Sequence, residues 1–179
     1  MTLEPEICLR AALLTPGLMF LCVSDIRRRI LPNAWTLGGL VLGLVMSAGL
    51  GGIPGFLDSL AAAGCGVLFL ILPFLLRAAG AGDVKMLAAC ASFLGTRPIP
   101  FFLMAVSFAG LFVAIAMICM RQVSAARLKH AFRTIFDWRY DRKAGKAAIP
   151  KRDDERARVP FGVAIAIGTW ATLLMEAFG

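Results

Sequence analysis

The sequence predicts an all-α, polytopic membrane protein with about six transmembrane helices. Three observations carry this reading. Hydrophobic residues make up 59% of the 179-residue chain, and its mean hydropathy is +0.80. A soluble domain has roughly 45–50% apolar residues, so here the surface itself must be apolar. Ile99 to Met120 holds no ionisable group except the thiol of Cys119, and roughly 20 apolar residues suffice to span a bilayer core. Arginines and lysines, finally, gather in alternate connecting segments, the pattern that sets the orientation of a multi-span protein. A lipid-embedded backbone must satisfy its own hydrogen bonds, which leaves helices or a closed barrel. A barrel strand would alternate polar and apolar over about 10 residues, and no such alternation occurs.

The first predicted span runs from Ile7 to Val23. It follows Glu4 and Glu6 instead of a basic patch and lacks an A-x-A-like site, so it is not expected to be a cleaved signal. The loop at 24–34 carries Arg27, Arg28 and Arg29. In it, Pro32 disfavours helix at Leu31 and predicts a structured corner. The second span runs from Trp35 to Leu50, with the amphipathic Trp35 ring at an interface. Gly39, Gly43 and Ser47 form a small-residue row suited to close helix packing. Gly51-Gly52-Ile53-Pro54-Gly55 is charge-free and predicts a loop. The third span runs from Phe56 to Leu76, and the loop at 77–83 carries Arg77, with Lys85 just beyond.

The fourth segment, Val84 to Leu94, falls short of the roughly 17 residues needed to span. It must borrow flanking residues, tilt or sit in a thinned bilayer. Arg97 is the one basic residue of the 95–98 turn; the fifth span, Ile99 to Met120, follows it. Segment 121–158 is the one sizeable polar piece. Phe132, Ile135, Phe136 and Trp138 in its first half suit a helix on the membrane surface. Its second half reads as a flexible charged loop. The sixth span is Val159 to Phe178. The whole chain, 1–179, thus forms a single membrane-embedded domain with a basic loop at about 121–158.

Alternation of the basic loops places 24–34, 77–83 and 121–158 in the cytoplasm and both termini outside. The net charge of +8 is accordingly a topology signal and not a nucleic-acid footprint. Cys8, Cys22, Cys65, Cys90 and Cys119 are dispersed without a C-x-x-C pair and read as small apolar packing residues. His130, the only histidine, reads as a solvated loop residue.

Four acids lie in or beside the spans: Asp25, Asp58, Asp83 and Glu176. Such acids are costly in a membrane and are functional candidates by default. The topology sorts them. Asp25 and Asp83 fall at the cytoplasmic face; Asp58 and Glu176 fall near the other, roughly 30 Å away. Only the first two can meet. Two neighbouring carboxylates can share a proton, one taking a proton from water while the other polarises a carbonyl. A structural role stays open at this point: Asp83 before Val84 could cap a helix, and Asp25 has arginines beside it. Gly80 and Gly82 suit a carboxylate presented from an unwound helix entry. No metal or other cofactor is expected, because two carboxylates without histidines make an incomplete transition-metal site.

The local motifs narrow this further. Gly80-Ala81-Gly82-Asp83-Val84-Lys85 is a G-x-G-D-x-K element, and Asp25 opens a D-x-R…P-N element that ends at Pro32-Asn33. With Val159-Pro160-Phe161-Gly162 at the head of the last span, they occur in the order seen in the type IV prepilin peptidases, which the chain resembles from first span to last. That resemblance implies cleavage of a basic leader before a hydrophobic segment, at the cytoplasmic face of a bacterial inner membrane. It implies Asp25 and Asp83 as the catalytic pair, with Gly80, Gly82, Lys85, Pro32 and Asn33 as supporting motif residues. The implied partner is a prepilin with a hydrophobic N-terminal helix, in the bilayer and without nucleic acid.

Larger members of that family add a cysteine-rich cytoplasmic domain that methylates the new N-terminus. Nothing in this sequence matches it, so the chain resembles the small peptidase-only members of Tad/Flp pilus systems, and no methyl transfer is expected. Presenilin-like proteases share G-x-G-D but pair it with a Tyr-Asp motif, whereas Ser24 precedes Asp25 here. The competing readings are a small transporter with acids on its pathway and a non-catalytic pilus assembly subunit.

Overall fold

The computed structural model describes residues 5–28, 31–75, 79–119 and 161–178. They form five helices: α1 (Pro5–Arg28), α2 (Asn33–Leu75), α3 (Ala81–Leu94), α4 (Ile99–Cys119) and α5 (Phe161–Phe178). No strand occurs among the described residues. All but α3 are long and apolar enough to cross a membrane. Large apolar side chains such as Val45, Leu68, Leu72, Phe108 and Phe112 point outward, as they do when lipid is the solvent. The chain is an all-α membrane protein. Segment 121–158, with its surface-helix expectation and His130, lies outside the described residues, as do Arg29, Arg77, Val159 and Pro160.

α2 differs from the expectation of two spans joined by a loop at 51–55. Its 43 residues would reach roughly 64 Å if straight, about twice a 30 Å bilayer core. It is not straight. Gly52 has φ 62° and ψ −146°, a region that side chains with a Cβ avoid. The loop therefore shrinks to one glycine between two helical arms, 33–51 and 53–75. Pro54 sits in the first turn of the second arm, where a missing N–H costs little.

The arms fold back on each other. The hydroxyls of Ser47 and Ser59 both donate to the carbonyl of Ser92, at 3.4 and 2.6 Å. In an unbroken helix those residues would stand about 18 Å apart. A Cβ on Gly55 would collide with the Ser47 carbonyl, so the turn is as tight as glycine permits.

α3 fills the fork between the arms. A Cβ on Gly39 would lie 3.5 Å from the Ala89 Cβ, and one on Gly43 would strike Ser92 and Phe93. The row Gly39, Gly43, Ser47 is thus the packing seam its spacing predicted. On the other arm, a Cβ on Gly66 would lie 3.3 Å from the Leu87 carbonyl. α3 runs parallel to the first arm and antiparallel to the second. Every residue from Met86 to Leu94 is buried. The helix begins at Ala81, ahead of the apolar run that opens at Val84, and still reaches only about 21 Å over its 14 residues.

The remaining helices wrap this core. α1 is antiparallel to α3, with Arg10 near its start donating to the Leu94 carbonyl at 3.1 Å. α4 and α5 are antiparallel and close: a Cβ on Gly168 would collide with Val106, and one on Gly110 would stand 2.9 Å from Phe161.

The bundle accordingly has two distinct ends. One gathers Asp25, Leu31, Asn33, residues 80–85 and Gly162. The other gathers Arg10, Gly52, Asp58, Leu94 and Glu176. Asp58 ties the far end together: its carboxylate accepts from the Thr96 backbone N–H at 3.1 Å and from the Thr96 hydroxyl. Gly95 beside it has φ 79°, and a Cβ there would lie 2.5 Å from the Asp58 carboxylate.

Candidate active site

Asp25 stands in the last turn of α1 and is only 6% exposed. Its carboxylate accepts the backbone N–H of Gly162 at 2.9 Å. Gly162 is in the first turn of α5, where helix N–H groups have no intrahelical partner. These N–H groups carry the positive end of the helix dipole, so α5 both satisfies and fixes a buried carboxylate. Room is as necessary as the donor. A Cβ on Gly162 would lie 2.7 Å from the Asp25 carboxylate oxygen. Cys22, one turn before Asp25, has its sulfur 4.0 Å from the Gly162 carbonyl.

Asp83 is half-buried in the first turn of α3. It is not the N-cap; Gly80 holds that position. The Asp83 carboxylate reaches back to accept the Gly80 N–H at 2.9 Å, and the Asp83 N–H donates to the Gly80 carbonyl at 3.1 Å. The structural part of the capping alternative is therefore present, while the second carboxylate oxygen is not used by that box.

The two glycines act differently from the expected unwinding. Gly80 has φ −83° and ψ 154°, a conformation open to any residue, and Gly82 is already helical. Their contribution is space. A Cβ on Gly82 would lie 2.9 Å from the Leu31 Cβ, so Gly82 lets the α1–α2 corner press against the start of α3.

That corner is built by Pro32. Leu31 and Pro32 are non-helical and α2 starts at Asn33, as the proline predicted. The Pro32 carbonyl accepts the N–H groups of Trp35 and Thr36, at 3.2 and 3.3 Å. Asn33 then turns its side chain toward α3. Its Oδ1 accepts from Lys85 Nζ at 2.9 Å. The P-N and G-x-G-D-x-K elements are thus joined by a direct hydrogen bond and by the Leu31–Gly82 contact.

The structure therefore brings Asp25, Pro32, Asn33, Gly80, Gly82, Asp83 and Lys85 to one end of the bundle. Asp58 and Glu176 stand at the other, as the charge pattern predicted. One residue escaped the sequence reading of the site. Gly162 was visible as part of a motif, but its role is a backbone N–H given to a side chain 137 positions away. Only its place at the head of the last span hinted at it.

An end of this kind offers two carboxylates, fixed by backbone donors, on helices that meet at the edge of an apolar bundle. Such groups can take and give protons to a water molecule. Comparison with known proteins bears on the chemistry. No curated protein and no solved structure matches the chain. The model of the type IV leader peptidase family matches residues 12–115, more than half of the chain. This stretch holds both aspartates, the Pro32–Asn33 corner and the whole G-x-G-D-x-K element, and the chain belongs to the type IV leader peptidase family.

Proposed function

We propose that this protease is an aspartic endopeptidase that removes the leader from Flp-type prepilins at the cytoplasmic face of a bacterial inner membrane. The observation that carries the reading is the gathering of Asp25 and Asp83, both inside the family match and far apart in the sequence, at one end of the bundle. With one proton between them, the ionised carboxylate removes a proton from water as its oxygen attacks the scissile carbonyl carbon. The protonated carboxylate gives its proton to the carbonyl oxygen. Collapse of the tetrahedral intermediate breaks the C–N bond, and the departing amine takes up a proton from the pair. Water is the only co-reactant.

The remaining motif residues position this pair. Lys85 and Asn33 join α3 to the start of α2, Gly82 admits Leu31, and Pro32 sets the corner. The partner is a prepilin with a hydrophobic helix in the bilayer, and no nucleic acid takes part. The test is direct. The purified protein, in detergent or liposomes, should release the leader from a purified Flp-type prepilin. A folded protein that leaves it intact while moving a solute across liposomes would replace this reading with a transporter.

A further inference from the structure

Two apolar clefts flank α1. One, of about 450 Å³, lies between α1 and α5 and is walled by Met19, Cys22, Ala166 and Trp170. The other, of about 360 Å³, lies between α1 and the first arm of α2, with α3 as its floor. Both open on the lipid-facing surface, but they differ in what stands at their ends. The second cleft begins at Leu21, Ala34 and Met86. Leu21 is one turn before Asp25 on α1, and Met86 is one turn after Asp83 on α3. Ala34 adjoins Asn33, the acceptor for Lys85. From there the cleft runs to Leu13, Leu42 and Phe93, about 12 Å down the first arm at 1.5 Å per residue. The α1–α5 cleft comes within one turn of Asp25 at Cys22, and no residue of α3, the helix that carries Asp83, lines it.

The wall chemistry also separates the two. Gly17 and Gly38 line the cleft over α3, and a Cβ added to either would meet no atom within 4 Å. Gly39, by contrast, packs on Ala89. Glycine weakens a helix by about 1 kcal/mol relative to alanine, and at 17 and 38 no contact among the described residues offsets this. Small residues facing outward from a membrane helix let another helix backbone approach closely, whereas a flexible acyl chain has no need of them. Phe20 and Trp35, with ring centroids 4.5 Å apart, join the two walls near the carboxylate end.

We infer that the cleft between α1, the first arm of α2 and α3 seats the apolar helix of the substrate, directly below the scissile bond. The inference rests on the peptidase reading above and adds where the substrate lies. A helix in this cleft presents the bond that precedes it to both carboxylates at once. One in the α1–α5 cleft would present it to Asp25 alone.

The experiment uses the full chain in liposomes and a substrate with a basic leader followed by about 20 apolar residues. Leader release by the wild type is scored first, and its absence would count against the peptidase reading. With release established, a photoreactive benzoyl-phenylalanine replaces either Gly38 or Ala171, which lines the other cleft. Crosslinks from position 38 to the apolar segment, and none from 171, are expected. Crosslinks from 171 instead, or from position 38 to lipid only, would overturn the inference and leave the peptidase reading standing. A second measurement is steric. Gly38→Leu should lower kcat/KM by about tenfold, the loss of some 1.4 kcal/mol of substrate interaction. Gly64→Leu, with an equally free Cβ on the second arm, should leave it unchanged. Equal activity in both variants would also overturn it.

Discussion

The backbone N–H of Gly162 points at the carboxylate of Asp25 across 2.9 Å, and the missing Cβ of that glycine is what allows the approach. Helix α5 therefore holds the end of α1 through one residue that supplies both a donor and a gap.

Gly162→Ala would set a methyl group 2.7 Å from the carboxylate oxygen, closer than any real contact tolerates, so Asp25 must move. Misplacement of a reacting group by about 1 Å can cost on the order of 100-fold in rate. The expected result is a kcat lowered by about that factor, with KM little changed and the protein still inserted. An unchanged kcat would show that Asp25 needs no such seat.

Asp25→Asn and Asp83→Asn should each abolish leader release. An amide oxygen can still accept the N–H of Gly162 or Gly80, so the fold survives, but an amide neither takes water's proton nor returns one. Asp58→Asn should cleave at near wild-type rate. Its amide can keep both contacts to Thr96, accepting the N–H and donating to the hydroxyl, so it should lose no more than about 1 kcal/mol of stability. Leader-release assays beside thermal melts of the three variants check this. A folded Asp83→Asn protein with wild-type activity would leave Asp83 as a helix cap only.

A shared proton implies a bell-shaped dependence of kcat/KM on pH. The acid limb marks loss of the ionised carboxylate and the alkaline limb loss of the protonated one, and both belong to the pair. A rate that climbs to a plateau with no alkaline fall would exclude a proton donor from the pair.

The Lys85–Asn33 bond links the start of α3 to the start of α2. Asn33→Ala should reduce leader release by about threefold, because an exposed side-chain hydrogen bond is worth roughly 0.5–1 kcal/mol. Asn33→Asp keeps an acceptor and should retain most activity. Equal loss in both variants would point to the amide nitrogen and away from this bond.

The orientation of the chain is tested by reporters. A fusion after Lys146 should read as cytoplasmic. α5 begins at the carboxylate end beside Gly110 of α4, and α4 continues from there to Cys119. α4 thus ends and α5 begins on the side of Asp25 and Asp83. An external reading would put the carboxylates outside as well.

Much of this was legible before any coordinates. Composition and apolar length gave the membrane helices, and the alternation of arginine-bearing loops separated Asp25 and Asp83 from Asp58 and Glu176. Pro32 marked its corner because the restriction it imposes is local. The rest depended on contacts between distant residues. Gly51 to Gly55 read as a loop, yet helix resumes after Gly52 because Pro54 falls where an N–H is dispensable. Gly80 and Gly82 read as conformational breaks, whereas they leave room for Asp83 and Leu31. Gly162 donates through its backbone, which no side-chain pattern reveals.

The fork in α2 has a consequence for how the protein is made. α3 is too short to commit itself to a bilayer, and its small residues offer little apolar surface. Its two walls, however, are synthesised immediately before it. A nascent chain that has already placed both arms of α2 presents the emerging α3 with a ready slot, lined by Gly39, Gly43 and Gly66. Insertion of the segment bearing Asp83 is then coupled to its predecessor. A chain lacking the second arm should leave α3 unprotected from proteolysis, even though every residue of α3 is unchanged.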